Sequence, residues 1–116
     1  MIAQRTVPAV PLQQLREDFG LSRERMARLL DVSSKTVERW EAHVPASLNN
    51  HMVARLAQLQ EIRDLGLMVY TPDGFRLFLR AALPDLDGLT SLRAIELGHG
   101  DDVIGALATD YEGLGF

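Results

Sequence analysis

Residues 21–41, LSRERMARLLDVSSKTVERWE, constrain the fold more than any other part of the chain. Ser22 stands as a helix N-cap ahead of a charged first turn, and Met26, Ala27 and Leu30 follow on one face at helical spacing. Ala27 supplies the small side chain that two steeply crossing helices need at their closest approach. Asp31 then occupies a position that favours a left-handed backbone, usually held by Gly and sometimes by Asn or Asp. Val32 plugs the corner, Ser33 caps a second helix, and Val37 and Trp40 are expected to point inward. Ser34, Lys35, Glu38 and Arg39 are left facing out. Two short helices, roughly 23–30 and 34–42, around so tight a turn make a helix-turn-helix pattern, the second helix placed for the major groove of DNA. The same spacing also suits a plain helical hairpin whose Ala and Val only fill a core.

The stretch resembles the Xre/Cro/λ-repressor-like helix-turn-helix, with Ala27, Leu30, Val32, Ser33, Thr36, Val37, Arg39, Trp40 and Glu41 at that family's positions. Asp31 departs from the more usual Gly, at a small cost to the turn. The resemblance implies DNA contacts from Ser22, Arg23, Ser33, Ser34, Lys35, Glu38 and Arg39. Lys35 and Arg39 lie one helical turn apart, within reach of adjacent phosphates or base edges. They equally suit a solvated face paired with Glu38 or Glu41, and Arg39 an internal salt bridge. Trp40 reads as core rather than as a stacking platform.

Charge is informative when divided. Through Arg63, nine basic residues face seven acidic ones, a weak excess of two positive charges. From Asp64 onward, three arginines face nine acids. Affinity for DNA scales with the phosphates neutralised, so one copy of this front half is expected to bind weakly, and a homodimer or a basic partner is implied. The 116 residues suit one domain or two small lobes, and 47% hydrophobic residues suffice for a core. No run approaches the roughly 18 apolar residues of a membrane span. Cysteine is absent, which excludes disulfides and thiolate sites. No basic patch followed by an apolar core opens the chain, so the expected location is cytoplasmic, with no membrane partner.

An all-α fold of about seven helices is expected. Residues 1–11 read as an extended arm, blocked from helix by Pro8 and Pro11. Leu12–Phe19 reads as the first helix, ended by Gly20. After the helix-turn-helix, residues 47–65 read as a long helix stopped by Gly66, joining the lobes and offering a candidate dimer surface. Thr71-Pro72 opens a helix over 72–82, whose Phe75, Leu77, Phe78 and Leu79 suggest burial all round. Residues 83–89 form a turning loop, Thr90 caps a short helix broken at Gly98-His99-Gly100, and Asp101 opens the last helix. The natural division is a helix-turn-helix region with its linking helix, 1–66, and a second helical region, 67–116.

The rear segment, FRLFLRAALPDLDGLTSLRAIELGHGDDVIGALATDYEGLGF, looks like the toxin-binding domain of the Xre/ParS/MbcA antitoxins, which carry an Xre-type helix-turn-helix in front. The matching elements are Leu86-Asp87-Gly88, then Leu92, Ile95, Gly98, Asp102, Val103, Leu107 and Gly113. The resemblance implies a type II antitoxin whose partner is a RES-domain toxin that consumes NAD⁺. It also implies dimeric binding, a C-terminal segment that occludes the toxin's active site, and repression of the antitoxin's own promoter. The toxin-facing residues would be Asp110, Glu112, Gly113, Leu114, Gly115 and Phe116. Gly113 and Gly115 suit a backbone entering a narrow cleft, and Leu114 and Phe116 supply apolar anchors. A terminus without a role reads the same way.

Other chemistry is thin. His43, His51 and His99 have no nearby ligand-like companions, and HGDD at 99–102 fits a helix N-terminus better than a metal site. Ser33 and Ser34 have no base spaced to activate them. No catalytic residue, metal or cofactor is expected, and the protein is not read as an enzyme. Two other readings stand beside the antitoxin: a free-standing Xre-type regulator whose rear lobe only dimerises, and an adaptor that keeps the shape but no longer binds DNA.

Overall fold

The computed structural model describes residues 10–114, and places seven α-helices and one turn of 3-10 helix in them. The first, α1 (Leu12–Phe19), buries Leu12, Leu15 and Phe19. It ends in a Schellman motif: Gly20, at φ 71°, donates its N–H to the Glu17 carbonyl at 2.9 Å, and Leu21 donates to that of Arg16 at 3.1 Å. Two short helices follow, α2 (Arg23–Leu30) and α3 (Ser34–Ala42). The long α4 (Asn50–Val69) runs through the molecule and packs on α1, α2, α5 and α7. Beyond it come α5 (Pro72–Arg80), the 3-10 turn Pro84–Leu86, α6 (Ser91–Glu96) and α7 (Gly100–Glu112). Among the described residues, extended pairing is limited to one antiparallel bridge between Ala82 and Thr90, which closes the loop around the 3-10 turn. The described chain is therefore all-α.

Four expectations need correction. The long helix begins at Asn50 rather than at 47, because Asn49 caps it, Oδ1 accepting from the Met52 N–H at 2.8 Å. It also runs through Gly66 to Val69 instead of stopping there. Gly66 is buried because the Phe75 ring lies against its Cα; a Cβ there would collide with the ring's edge. That glycine is a packing device, and the expected division after residue 66 falls inside a continuous helix. Third, α5 is not buried all round and stops at Arg80: Phe75, Phe78 and Leu79 face the core while Leu77 is 72% exposed. The last helix differs slightly as well, starting at Gly100 after His99 rather than at Asp101.

One hydrophobic cluster spans front and rear. Phe19 of α1 meets Phe75 of α5 edge-on, with ring centroids 5.4 Å apart. Met26, Leu29 and Leu30 of α2, Val37 of α3, Leu59 and Ile62 of α4, Leu79 of α5, Ile95 of α6 and Val103 and Leu107 of α7 are its other large, fully buried side chains. Polar ties reinforce it. Arg76 donates to the Glu17 carbonyl, and Arg80 to the carbonyls of Phe19 and Gly20, so two α5 cations cap the C-terminal end of α1. Arg55 of α4 does the same for the Leu29 carbonyl near the end of α2.

Candidate functional site

The turn between α2 and α3 is built by capping. Ser22 Oγ accepts from the Arg25 N–H at 3.1 Å and Ser33 Oγ from that of Thr36 at 3.0 Å. Asp31 takes the left-handed conformation at φ 58°, and the bonds from Val32 N–H to the Ala27 carbonyl and from Asp31 N–H to that of Arg28 close a second Schellman motif. Ala27 of α2 and Val37 of α3 are both buried. Trp40, expected inward, packs on the core but is only partly buried.

A buried carboxylate fixes the three front helices together. Glu41, 3% exposed, accepts from Arg16 Nε and Nη2 of α1 and from Arg23 Nε of α2 at 3.0 Å. Burial pushes its pKa up, but the hydrogen bonds and charges of the two arginines outweigh that and hold it below the ordinary carboxylate value. Hydrogen bonding to Glu41 in turn raises the Arg16 pKa.

The remaining front residues singled out from the sequence form an exposed polar strip. Lys35 is 78% exposed and reaches Glu38 Oε1 at 3.7 Å, an exposed pair of little energetic weight. Arg39 is exposed and donates to Thr36 Oγ1 at 3.3 Å; it forms no internal salt bridge among the described residues. Ser33 is exposed and Ser34 half-buried. Ser22 is exposed at the start of α2, whereas Arg23 is tied to Glu41. Cationic groups at Lys35 and Arg39, with small hydroxyls at the start of α3, can meet a polyanion. No arrangement for bond-making chemistry is present in this strip.

At the other end, Asp110 of α7 accepts a 2.7 Å hydrogen bond from the Tyr70 hydroxyl, and the Tyr70 ring stacks on Phe78 with centroids 5.3 Å apart. Burial and the adjoining carboxylate push the Tyr70 hydroxyl up to about 12. Glu112 is exposed, and Gly113 ends α7 at φ −68°, without a left-handed cap. Leu114 is 49% exposed. Gly115 and Phe116 lie outside the described residues.

Sequence reasoning missed a further feature between front and rear. Glu96 of α6 faces Arg25 Nε at 2.8 Å, both atoms buried and away from ideal hydrogen-bond angles, and also meets Arg93 at 3.0 Å. Beside this network lies an open cleft of about 430 Å³ lined in part by Arg25, Arg28 and Arg80. No local pattern announces it, because its walls come from the α1–α2 turn, α2, α5 and the start of α6.

No protein-family model matches the chain, and no curated protein matches it. Among solved structures the fold is similar to a chain of the "Crystal structure of the M.tuberculosis MbcT-MbcA toxin-antitoxin complex", at 24% sequence identity over 97% of this chain and 100% of that chain, with a TM-score of 0.73. At that identity the likeness establishes a shared fold along almost the whole chain.

Proposed function

We propose that this protein is the antitoxin of a type II toxin–antitoxin pair. The observation that carries the reading is the end-to-end fold likeness to a chain of a toxin–antitoxin complex, which takes in both the capped α2–α3 unit and the rear helices. The antitoxin neutralises a RES-domain toxin that consumes NAD⁺, with residues 110–116 entering the toxin's active-site cleft. The exposed end of α7 supports that role, since Glu112 and Leu114 are free of the core. The α2–α3 unit acts as a helix-turn-helix that binds the protein's own promoter, with Ser33, Ser34, Lys35, Glu38 and Arg39 of α3 toward the major groove and Ser22 and Arg23 at the backbone. Two copies bind together, which compensates for the weak positive charge of one front half. The protein has no catalytic role of its own and is cytoplasmic.

Two variants test the two ends separately. A chain truncated after Glu112 keeps its helical content and DNA binding but loses growth rescue when co-expressed with the toxin; full rescue contradicts the plugging role. Replacing Ser34 and Lys35 together with alanine abolishes the promoter gel shift while leaving rescue intact; an unchanged shift moves the reading surface elsewhere.

A further inference from the structure

The cleft between the α1–α2 turn, the end of α5 and the start of α6 is lined on its charged side by arginines alone. Its volume of about 430 Å³ falls in the roughly 300–1,000 Å³ range of small-molecule sites. Arg80 forms no ion pair among the described residues; three carbonyls hold its guanidinium, those of Phe19 at 3.2 Å, Arg76 at 3.0 Å and Gly20 at 2.7 Å. Those bonds orient the group without neutralising it. Arg28 is 59% exposed and its Nε stands 3.9 Å from Glu96, whose carboxylate is engaged more closely by Arg25 and Arg93. Three guanidinium charges thus line the cleft against one shared carboxylate, and the excess is positive.

Neutral donors complete the lining. Ser22 Oγ and Thr90 Oγ1 each accept from a backbone N–H, of Arg25 and Arg93, both at 3.1 Å. A hydroxyl used as an acceptor keeps its proton free to donate. Guanidinium forks suit oxyanions, and donors arriving from several segments suit a tetrahedral group better than a planar carboxylate.

We propose that this cleft is a binding site for a phosphate group, seated between Arg28 and Arg80 with donors from Ser22 and Thr90. The group belongs either to a free phosphate-bearing ligand or to a nucleic-acid backbone. The free-ligand source is independent of the antitoxin reading, whereas the nucleic-acid source rests on its DNA-binding part, which already sets Ser22 at the DNA backbone. The test is an NMR titration of the full-length protein with inorganic pyrophosphate, following the arginine side-chain Nε–H resonances. Saturable shifts concentrated at Arg28 and Arg80 are expected. Arg28→Gln, at an exposed position that spares the fold, weakens binding about tenfold, and Arg28→Lys recovers part of the loss. Displacement of pyrophosphate by a short DNA duplex assigns the seat to backbone phosphate; retention assigns it to a free ligand. Non-saturable shifts spread over all arginines, or unchanged affinity in Arg28→Gln, overturn the proposal.

Discussion

Replacing Glu41 with Gln preserves size and one carbonyl acceptor but removes the charge that holds α1, α2 and α3 together. In the native protein that carboxylate is 3% exposed, and its Arg16 partner 16% exposed. Removing one member of a buried pair costs about 3–5 kcal/mol, since the other charge is left uncompensated. Two features reduce the figure here: Arg16 keeps a 3.0 Å bond to the Leu21 carbonyl, and Arg23, 45% exposed, can rehydrate. The expected loss is therefore about 2–3 kcal/mol, against the ~1 kcal/mol ceiling of an exposed pair. Urea denaturation followed by circular dichroism measures it, and a cycle with Arg16→Met isolates the pairwise part. The acid limb gives a second check. Because the folded state lowers the Glu41 pKa from 4.5, its stabilisation is complete at neutral pH and is lost as pH falls below 4.5 through the folded value. The gap between native and Glu41→Gln proteins then narrows in that acid window. A loss below about 0.5 kcal/mol at neutral pH would refute the argument, since that is the scale of a solvated pair.

Gly66→Ala sets two effects in opposition: helix propensity favours alanine by about 1 kcal/mol, while crowding the Phe75 ring costs about 1–3 kcal/mol. A net loss near 1 kcal/mol is expected by denaturation, and the same substitution costs less in a Phe75→Leu background, where the ring is gone; a stabilised single variant contradicts the packing role of Gly66. Tyr70→Phe keeps the stacking on Phe78 and removes the bond to Asp110, at a cost of about 1 kcal/mol. In the native protein that contribution is present below pH 10 and lost as pH rises toward 12, so phenolate absorbance should show one tyrosine ionising near the top of that window. Ionisation of Tyr70 near 10 would count against it. Ser91 Oγ is fully buried without a hydrogen-bond partner among the described residues, so Ser91→Ala is expected to stabilise by about 1 kcal/mol in a thermal melt.

Local signals carried most of the secondary structure. Ser22, Asp31 and Ser33 announce the α2–α3 turn through capping and backbone preference, and Thr71-Pro72 announces α5, because these effects act within three or four residues. Where the partner is distant in sequence, local reasoning failed. Gly66 reads as a helix stop until Phe75 is seen against it. The long helix reads as starting at 47, and only the bond from the Met52 N–H to Asn49 Oδ1 shows that it starts at Asn50. The apolar run in α5 suggests full burial, yet only one face has neighbours, and Leu77 is left outside. The exposed strip on α3 follows from helical spacing. The arginine-lined cleft does not, since Arg80 meets Gly20 sixty residues away in the chain.

The most direct test of the account is co-expression of this chain with the product of the gene encoded beside it. The neighbour is expected to arrest growth alone, this protein to restore it, and the two to co-elute as one complex in size-exclusion chromatography. A neighbour that is harmless alone, or two proteins that elute separately without rescue, would contradict it.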